Sequence, residues 1–314
     1  MMNDQSTAII LFAYNRPDKL ARLAACLALC PEFVTQPLYI FVDGPRTEDD
    51  LTAVEATAAL AVSISHPRKT VCQRDGNLGL RGSLRNGIST VLERHESVIV
   101  LEDDLILGPH ALDYLLRGLD KYRDEKRVAS ICAYAMNEDN PDLNTNSRAY
   151  FLPMTHPWGW ATWRDRWQAQ LETLRAPQEH SLEVSRAFKR AMNVSGLRNF
   201  SKMLDLAERG VVNSWWIYWH REAVFRHQVS LFPSRTHVIN AGIDGSGTHA
   251  SRWNVLRRWL PDKQMATDKA SLPEGVMVDF AMLDQIVASR EARYHRVIGS
   301  LGLTRRYLKQ VFKK

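Results

Sequence analysis

Ser97-Val98-Ile99-Val100-Leu101-Glu102-Asp103-Asp104-Leu105 is a short apolar, β-branched run that ends in three consecutive carboxylates. It has the length and composition of a buried strand, and α/β sheets bind ligands just beyond the carboxyl ends of their strands. Three adjacent acids at such a place repel one another. A divalent cation relieves that repulsion, and hard oxygen donors suit Mg²⁺ or Mn²⁺, which usually bind through one or two carboxylates plus substrate phosphates. The other reading is a solvated acidic loop following a strand.

The preceding hundred residues give this strand its setting. Thr7 to Ala13 reads as a buried strand, and after Tyr14-Asn15-Arg16-Pro17 a helical pattern runs from about Asp18 to Leu29, with Pro17 as its start signal. A second strand spans Pro37 to Val42 and ends in Asp43-Gly44-Pro45; Glu48, Asp49 and Asp50 then open a helix to about Ser63. Val71 centres a short third strand, and Asn77-Leu78-Gly79-Leu80-Arg81-Gly82 leads into a helix to Arg94. Alternation of this kind predicts a mostly parallel, Rossmann-like α/β sheet flanked by helices. Arg16, Asp43 and the acidic triplet all follow strands, so they are expected on one edge of that sheet.

The second half is different in character. Seven of the nine tryptophans, Trp158, Trp160, Trp163, Trp167, Trp215, Trp216 and Trp219, fall between positions 158 and 219. A tryptophan-rich wall suits a sugar or nucleotide cleft, although tryptophan is equally a packing residue. Asn137 to Ser147 reads as a polar loop and Gly242 to Gly247 as a glycine-rich turn. The expected organisation is an α/β half over 1–135, a tryptophan-rich half over 136–255, and a helical extension over 256–314.

Composition narrows the function classes. The 314 residues are 45% hydrophobic, enough for a sizeable core, and the net charge of +6 is modest. No apolar run approaches the roughly 20 residues of a membrane span, and the first residues lack a secretory leader pattern, so the expected location is cytoplasmic. Cys26, Cys30, Cys72 and Cys132 show neither metal-site nor disulfide spacing. Near the end, Arg305, Arg306, Lys309, Lys313 and Lys314 flank apolar Leu303, Tyr307, Leu308, Val311 and Phe312 at helical spacing. That segment is either a basic helix lying on the inner face of the plasma membrane or an ordinary terminal helix packed on the protein.

The ordered motifs, from Phe12-Ala13-Tyr14-Asn15-Arg16-Pro17 through Phe41-Val42-Asp43-Gly44, Asn77-Leu78-Gly79-Leu80-Arg81 and Val100-Leu101-Glu102-Asp103-Asp104-Leu105 to Trp158-Gly159-Trp160-Ala161-Thr162-Trp163 and Gly245-Ser246-Gly247-Thr248-His249, cover roughly residues 7 to 250. Together they resemble glycosyltransferases of the GT-A fold, in particular the group that includes N-acetylglucosaminyltransferase I and many bacterial polysaccharide and lipopolysaccharide sugar transferases. The resemblance implies that Glu102-Asp103-Asp104 is the family's variant of the Asp-X-Asp motif. Asp104 would then hold Mn²⁺ or Mg²⁺, with His249 as a second ligand, while Glu102 and Asp103 face the donor. Arg16 and Asp43 would sit at the nucleobase, and Asn77, Arg81 and Trp160 would complete the donor site.

The implied reaction is a metal-dependent, inverting transfer from a nucleoside diphosphate sugar, UDP-linked by the Asp43 reading, to a glycan or lipid-linked acceptor. Nucleic acid is not an expected partner. One position departs from the family pattern. The acid expected in Asn213-Ser214-Trp215-Trp216-Ile217-Tyr218-Trp219 falls at Trp216, so Glu222, Asp244 or Asp165 must supply the general base. A non-catalytic sugar- or nucleotide-binding relative and a nucleotidyltransferase are the rival readings.

Overall fold

The computed structural model describes residues 4–136, 147–175, 186–242 and 265–289, together with Ala292 and Arg296. Strand β1 (Asp4–Ala13) is followed by α1 (Pro17–Ala28), β2 (Leu38–Val42), α2 (Leu51–Ser63), β3 (Lys69–Gln73), α3 (Gly79–Leu92) and β4 (His95–Glu102). These match the sequence expectations to within a few residues, because each helix carries a clear signal. In α1, Pro17 occupies the first turn and Leu20, Leu23 and Leu27 line one buried stripe. The acids Glu48 to Asp50 form a separate 3₁₀ turn ahead of α2.

The rest of the described chain comprises β5 (Leu105–Leu107), α4 (Ala111–Lys121), β6 (Val128–Cys132), β7 (Ala149–Leu152), β8 (Trp160–Trp163), α5 (Arg164–Arg175), α6 (Arg186–Met192), α7 (Phe200–Glu208), α8 (Trp216–Phe225), β9 (Val229–Pro233), β10 (Val238–Asn240) and α9 (Phe280–Ala288). Eight strands form one sheet in the order β3-β2-β1-β4-β8-β6-β9-β7. β1 to β4 are mutually parallel, β8 runs against both β4 and β6, β9 is parallel to β6, and β7 is antiparallel to β9. Six of the eight strands therefore share a direction, giving a mostly parallel α/β sheet. The sheet is continuous across residue 135, since β6 takes both its partners from later in the chain.

Right-handed crossovers put α1 and α2 on one face and α3, whose connection returns past β1 to β4, on the other. Register fixes the functional edge. Phe12 is level with Glu102 and Ala13 with Val42, while the amides of Asp103 and Asp43 bond the carbonyls of Phe12 and Ala13 at 3.0 Å each. The ends of β1, β2 and β4 thus lie side by side. β8 enters the sheet at the same edge, with Trp160 opposite Val100 and Cys132. A second sheet, antiparallel β10 on β5, begins immediately after the triplet.

Most of the tryptophans serve packing. Trp160, Trp163, Trp167, Trp216 and Trp219 are all buried. Trp160 is fully enclosed and its ring lies 5.3–6.4 Å from those of Trp167, Trp215 and Trp219. Among the described residues no helix is long and apolar enough to cross a membrane. The basic segment from Leu301 to Lys314 lies outside the described residues.

Candidate active site

The site is built where β4 stops. Glu102 closes the strand, and Asp103 and Asp104 turn the chain into β5. Asp103 is buried and Asp104 nearly so, and both face Arg16, whose guanidinium bonds Asp103 Oδ1 through Nη2 and reaches Asp104 Oδ2 through Nη1 at 3.3 Å. One arginine cannot satisfy both carboxylates. Asp103 Oδ2 and Asp104 Oδ1 are buried and receive no hydrogen bond. Burial pushes the Asp103 carboxyl up to about 6 against the pull of Arg16, and Glu102 is raised by burial and by its two acidic neighbours. The side chain of Trp215, which precedes α8, lies beside Glu102 and pulls its carboxyl back down against that rise.

This chemistry fits a hard divalent cation. Two uncompensated carboxylate oxygens on adjacent residues are the minimal protein contribution to a Mg²⁺ or Mn²⁺ site that draws its other ligands from phosphate and water. Among the described residues no third His, Cys, Asp or Glu converges with them. His249, the expected second ligand, lies outside the described residues, as does Asp244. Gly242 borders the pair so closely that a Cβ there would stand 2.2 Å from Asp104 Oδ2. The backbone N–H of Ala241 bonds the Asp104 carbonyl at 2.8 Å, holding this approach in place.

Arg16 itself is positioned by the turn before α1. Tyr14 Oη donates to Asp50 Oδ2 at 2.7 Å and Asn15 Nδ2 to Asp50 Oδ1 at 2.9 Å, and these bonds hold the Asp50 carboxyl below its usual range. Sequence reading treated Asp50 only as a helix opener. Its partners are 35 and 36 residues away, and no local spacing announces such a clamp. Arg16 and Asp43, both expected at the nucleobase, take different partners: Arg16 lies on the acidic pair because β1 and β4 are adjacent strands.

Asp43 and Asn77 hold a polar loop against the end of β2. Asp43 Oδ1 accepts from the Leu78 N–H at 3.0 Å and faces Arg74 at 3.7 Å, and its other oxygen takes no hydrogen bond among the described residues. Asn77 donates to the Gly44 carbonyl at 2.8 Å and accepts from the Gly79 N–H at 3.0 Å. Gly44 and Gly76 are both needed for this contact, because a Cβ on Gly44 would come within 2.6 Å of the Gly76 backbone.

Four further expected site residues make contacts outside the acidic pair. Trp160 is fully buried beneath Trp215, so it supports the site wall and cannot offer a face to a donor. Asp165 follows β8, whose Trp163 pairs with Ser97 at the start of β4; five strand residues, roughly 16 Å at about 3.3 Å each, separate that edge from Glu102. There Asp165 binds Lys126 at 2.6 Å and Arg166 at 2.8 Å. Glu222 is buried, bonded to Arg226 at 2.6 Å, and lies about 10 Å along the α8 axis from Trp215. Arg81 stacks over the Tyr218 ring at 4.2 Å, on the flank of the site formed by α3 and α8. At the expected base position, the Trp216 ring is buried and stacked on His220 with ring centroids 5.2 Å apart.

No protein-family model and no curated protein matches the sequence. Many solved structures share similarity of fold with it. S. aureus TarS 1-349 aligns over 60% of this chain and 55% of its own at 16% identity, with a TM-score of 0.36, so the chain spans about half of that structure's length. The mannosyltransferase PcManGT from Pyrobaculum calidifontis, solved with GDP-Man and Mn²⁺, aligns over 98% of this chain and 88% of its own at 11% identity and a TM-score of 0.42. A putative glucose-1-phosphate thymidylyltransferase from Bacillus anthracis aligns over 55% of this chain and 77% of its own at 11% identity and a TM-score of 0.33.

Proposed function

We propose that the chain is a metal-dependent glycosyltransferase that moves a sugar from a nucleoside diphosphate to a glycan or lipid-linked acceptor. The observation that carries the reading is the pair of buried carboxylate oxygens on Asp103 and Asp104, left without donors at the central carboxyl edge of the sheet. Asp104 and Asp103 would hold the cation, which when bound offsets the charge collecting on the departing nucleoside diphosphate. Arg16 supplies positive charge beside the same acids. Asp43, with one oxygen open, suits an N–H of a uracil base and so a UDP-sugar. Glu102, held by Trp215, is oriented to accept hydroxyls of the donor sugar.

The motif resemblance to the N-acetylglucosaminyltransferase I-like and bacterial polysaccharide transferases extends this reading to inversion at the anomeric carbon and to surface polysaccharide or lipopolysaccharide assembly. We further propose that the enzyme works on the cytoplasmic side, with its basic C-terminal segment, outside the described residues, as a membrane contact. Inversion requires a base near the acceptor hydroxyl. Glu222, Asp244 and Asp165 are the candidate bases, of which Glu222 pairs with Arg226 and Asp165 with Lys126 and Arg166.

The decisive experiment titrates UDP- and GDP-sugars into the protein with and without Mn²⁺ and assays transfer with the same panel. Cation-dependent donor binding is expected, and it should vanish in Asp104→Ala while the melting temperature holds. Binding that ignores Mn²⁺ would overturn the metal assignment. Trp216 at the base position favours a second reading, a nucleotide-sugar-binding protein without turnover; donor binding in the absence of both transfer and donor hydrolysis would establish it.

A further inference from the structure

Around Trp215 lies a shallow groove between α3, α5 and α8, open to solvent. Its floor is aromatic: Trp215 stacks on Trp160, Trp167 is fixed by its indole N–H to Ser89 at 3.0 Å, and Tyr218 lies under Arg81. Two features mark it as a ligand site. Arg81 and Arg85, one helical turn apart on α3, are exposed and have no carboxylate partner among the described residues. Arg221, on the neighbouring α8, is by contrast paired with Glu208 at 3.5 Å. Gln170, only 4% exposed, lines the groove with its Oε1 buried and unbonded, an arrangement that costs free energy unless a donor arrives.

We propose that this groove is the acceptor subsite and that the acceptor is an anionic sugar, carrying phosphate or carboxylate. Aromatic faces such as that of Trp215 suit the C–H surface of a pyranose. Gln170 Oε1 accepts one of its hydroxyls, and the Arg81 and Arg85 guanidinium groups pair with its anion, the donor geometry being matched to phosphate and carboxylate alike. Trp215 lines the groove and also lies beside Glu102, which joins this acceptor to the acidic edge. The inference rests on the transferase reading for the name acceptor, and not for the binding itself.

The test uses the full-length protein without donor or metal. Glucose 6-phosphate, glucuronate and methyl glucoside are compared by calorimetry and saturation-transfer NMR, with inorganic phosphate as a control. Either anionic sugar should bind more tightly than methyl glucoside, and the tighter of the two names the source of the charge. Arg81→Gln with Arg85→Gln, both at exposed positions, should weaken that binding on the order of tenfold for each arginine removed. Gln170→Met should weaken glucose 6-phosphate and leave inorganic phosphate alone. Equal affinity for methyl glucoside, or full affinity in the double arginine variant, would overturn the groove assignment. Anionic-sugar binding with no turnover on any donor would instead overturn the transferase reading and leave the groove standing.

Discussion

The carboxyl edge of the sheet and the tryptophan cluster beneath it meet at Trp215, yet they are built on opposite terms. At the edge, Glu102, Asp103 and Asp104 crowd three acids around a single arginine, with two buried oxygens left unsatisfied. In the cluster, Trp160, Trp167, Trp215 and Trp219 interlock around an enclosed ring. The first arrangement leaves buried charge uncompensated, at a cost in stability, and the second is packed apolar surface that supplies stability.

The largest expected effect comes from cutting the edge alone. Asp104→Ala should lower Mn²⁺-dependent UDP-sugar affinity by more than about 100-fold, since loss of groups merely supporting a metal ligand already costs about 10–100-fold. Because it also relieves carboxylate repulsion, chemical denaturation should show stability held or raised. Cutting the cluster should do the reverse. Trp160→Ala removes a fully buried indole and should cost about 3–5 kcal/mol in urea unfolding, with donor affinity preserved in the fraction that remains folded. A variant at Trp160 that lost donor binding before stability would break the division.

Acid sharpens the contrast because the two kinds of site answer it with opposite sign. Burial holds His220 and His237 down at about 4, so their contribution is complete above the unfolded value near 6.5 and is lost as pH falls through that window. At pH 5 each would cost about 2 kcal/mol. Asp103, raised to about 6, contributes stability that is present below the unfolded value and lost as pH rises through 6. Glu102 is raised in the same way, so in thermal melts from pH 7 to 5 the histidine loss is opposed by both of these acids at the edge. His237 stacks on Tyr114 at 4.8 Å and faces His110, Arg117, Asp113 and Asp268. His237→Phe keeps the stacking and removes one of the two histidine losses, so stability at pH 5 relative to pH 7 should rise by about 2 kcal/mol; an unchanged pH profile would remove His237 from the account.

The smallest effect is expected at the clamp that aims Arg16. Asp50→Asn keeps the shape but weakens the bonds from Tyr14 and Asn15, and should cost about 1 kcal/mol of stability together with a few-fold loss in donor affinity. A stability change with donor affinity untouched would show that the clamp only packs the turn.

The sequence by itself determined the alternating strands and helices of the first hundred residues, because strand runs, Pro17 at a helix start and acids after β4 are signals carried within a few neighbouring positions. It also determined that polar groups collect where those strands end. Only the tertiary structure decided which of these groups meet. Strand order β3-β2-β1-β4 puts Arg16 on Asp103 and Asp104, and the antiparallel entry of β8 carries Asp165 to the far edge and seals Trp160 in the core. The loop clamp of Asp43, Asn77 and Gly44 and the groove shared by Arg81, Gln170 and Trp215 are likewise contacts between segments far apart in the chain. Hydrophobic periodicity reports which face of an element is buried, and it carries no information about the partner that buries it.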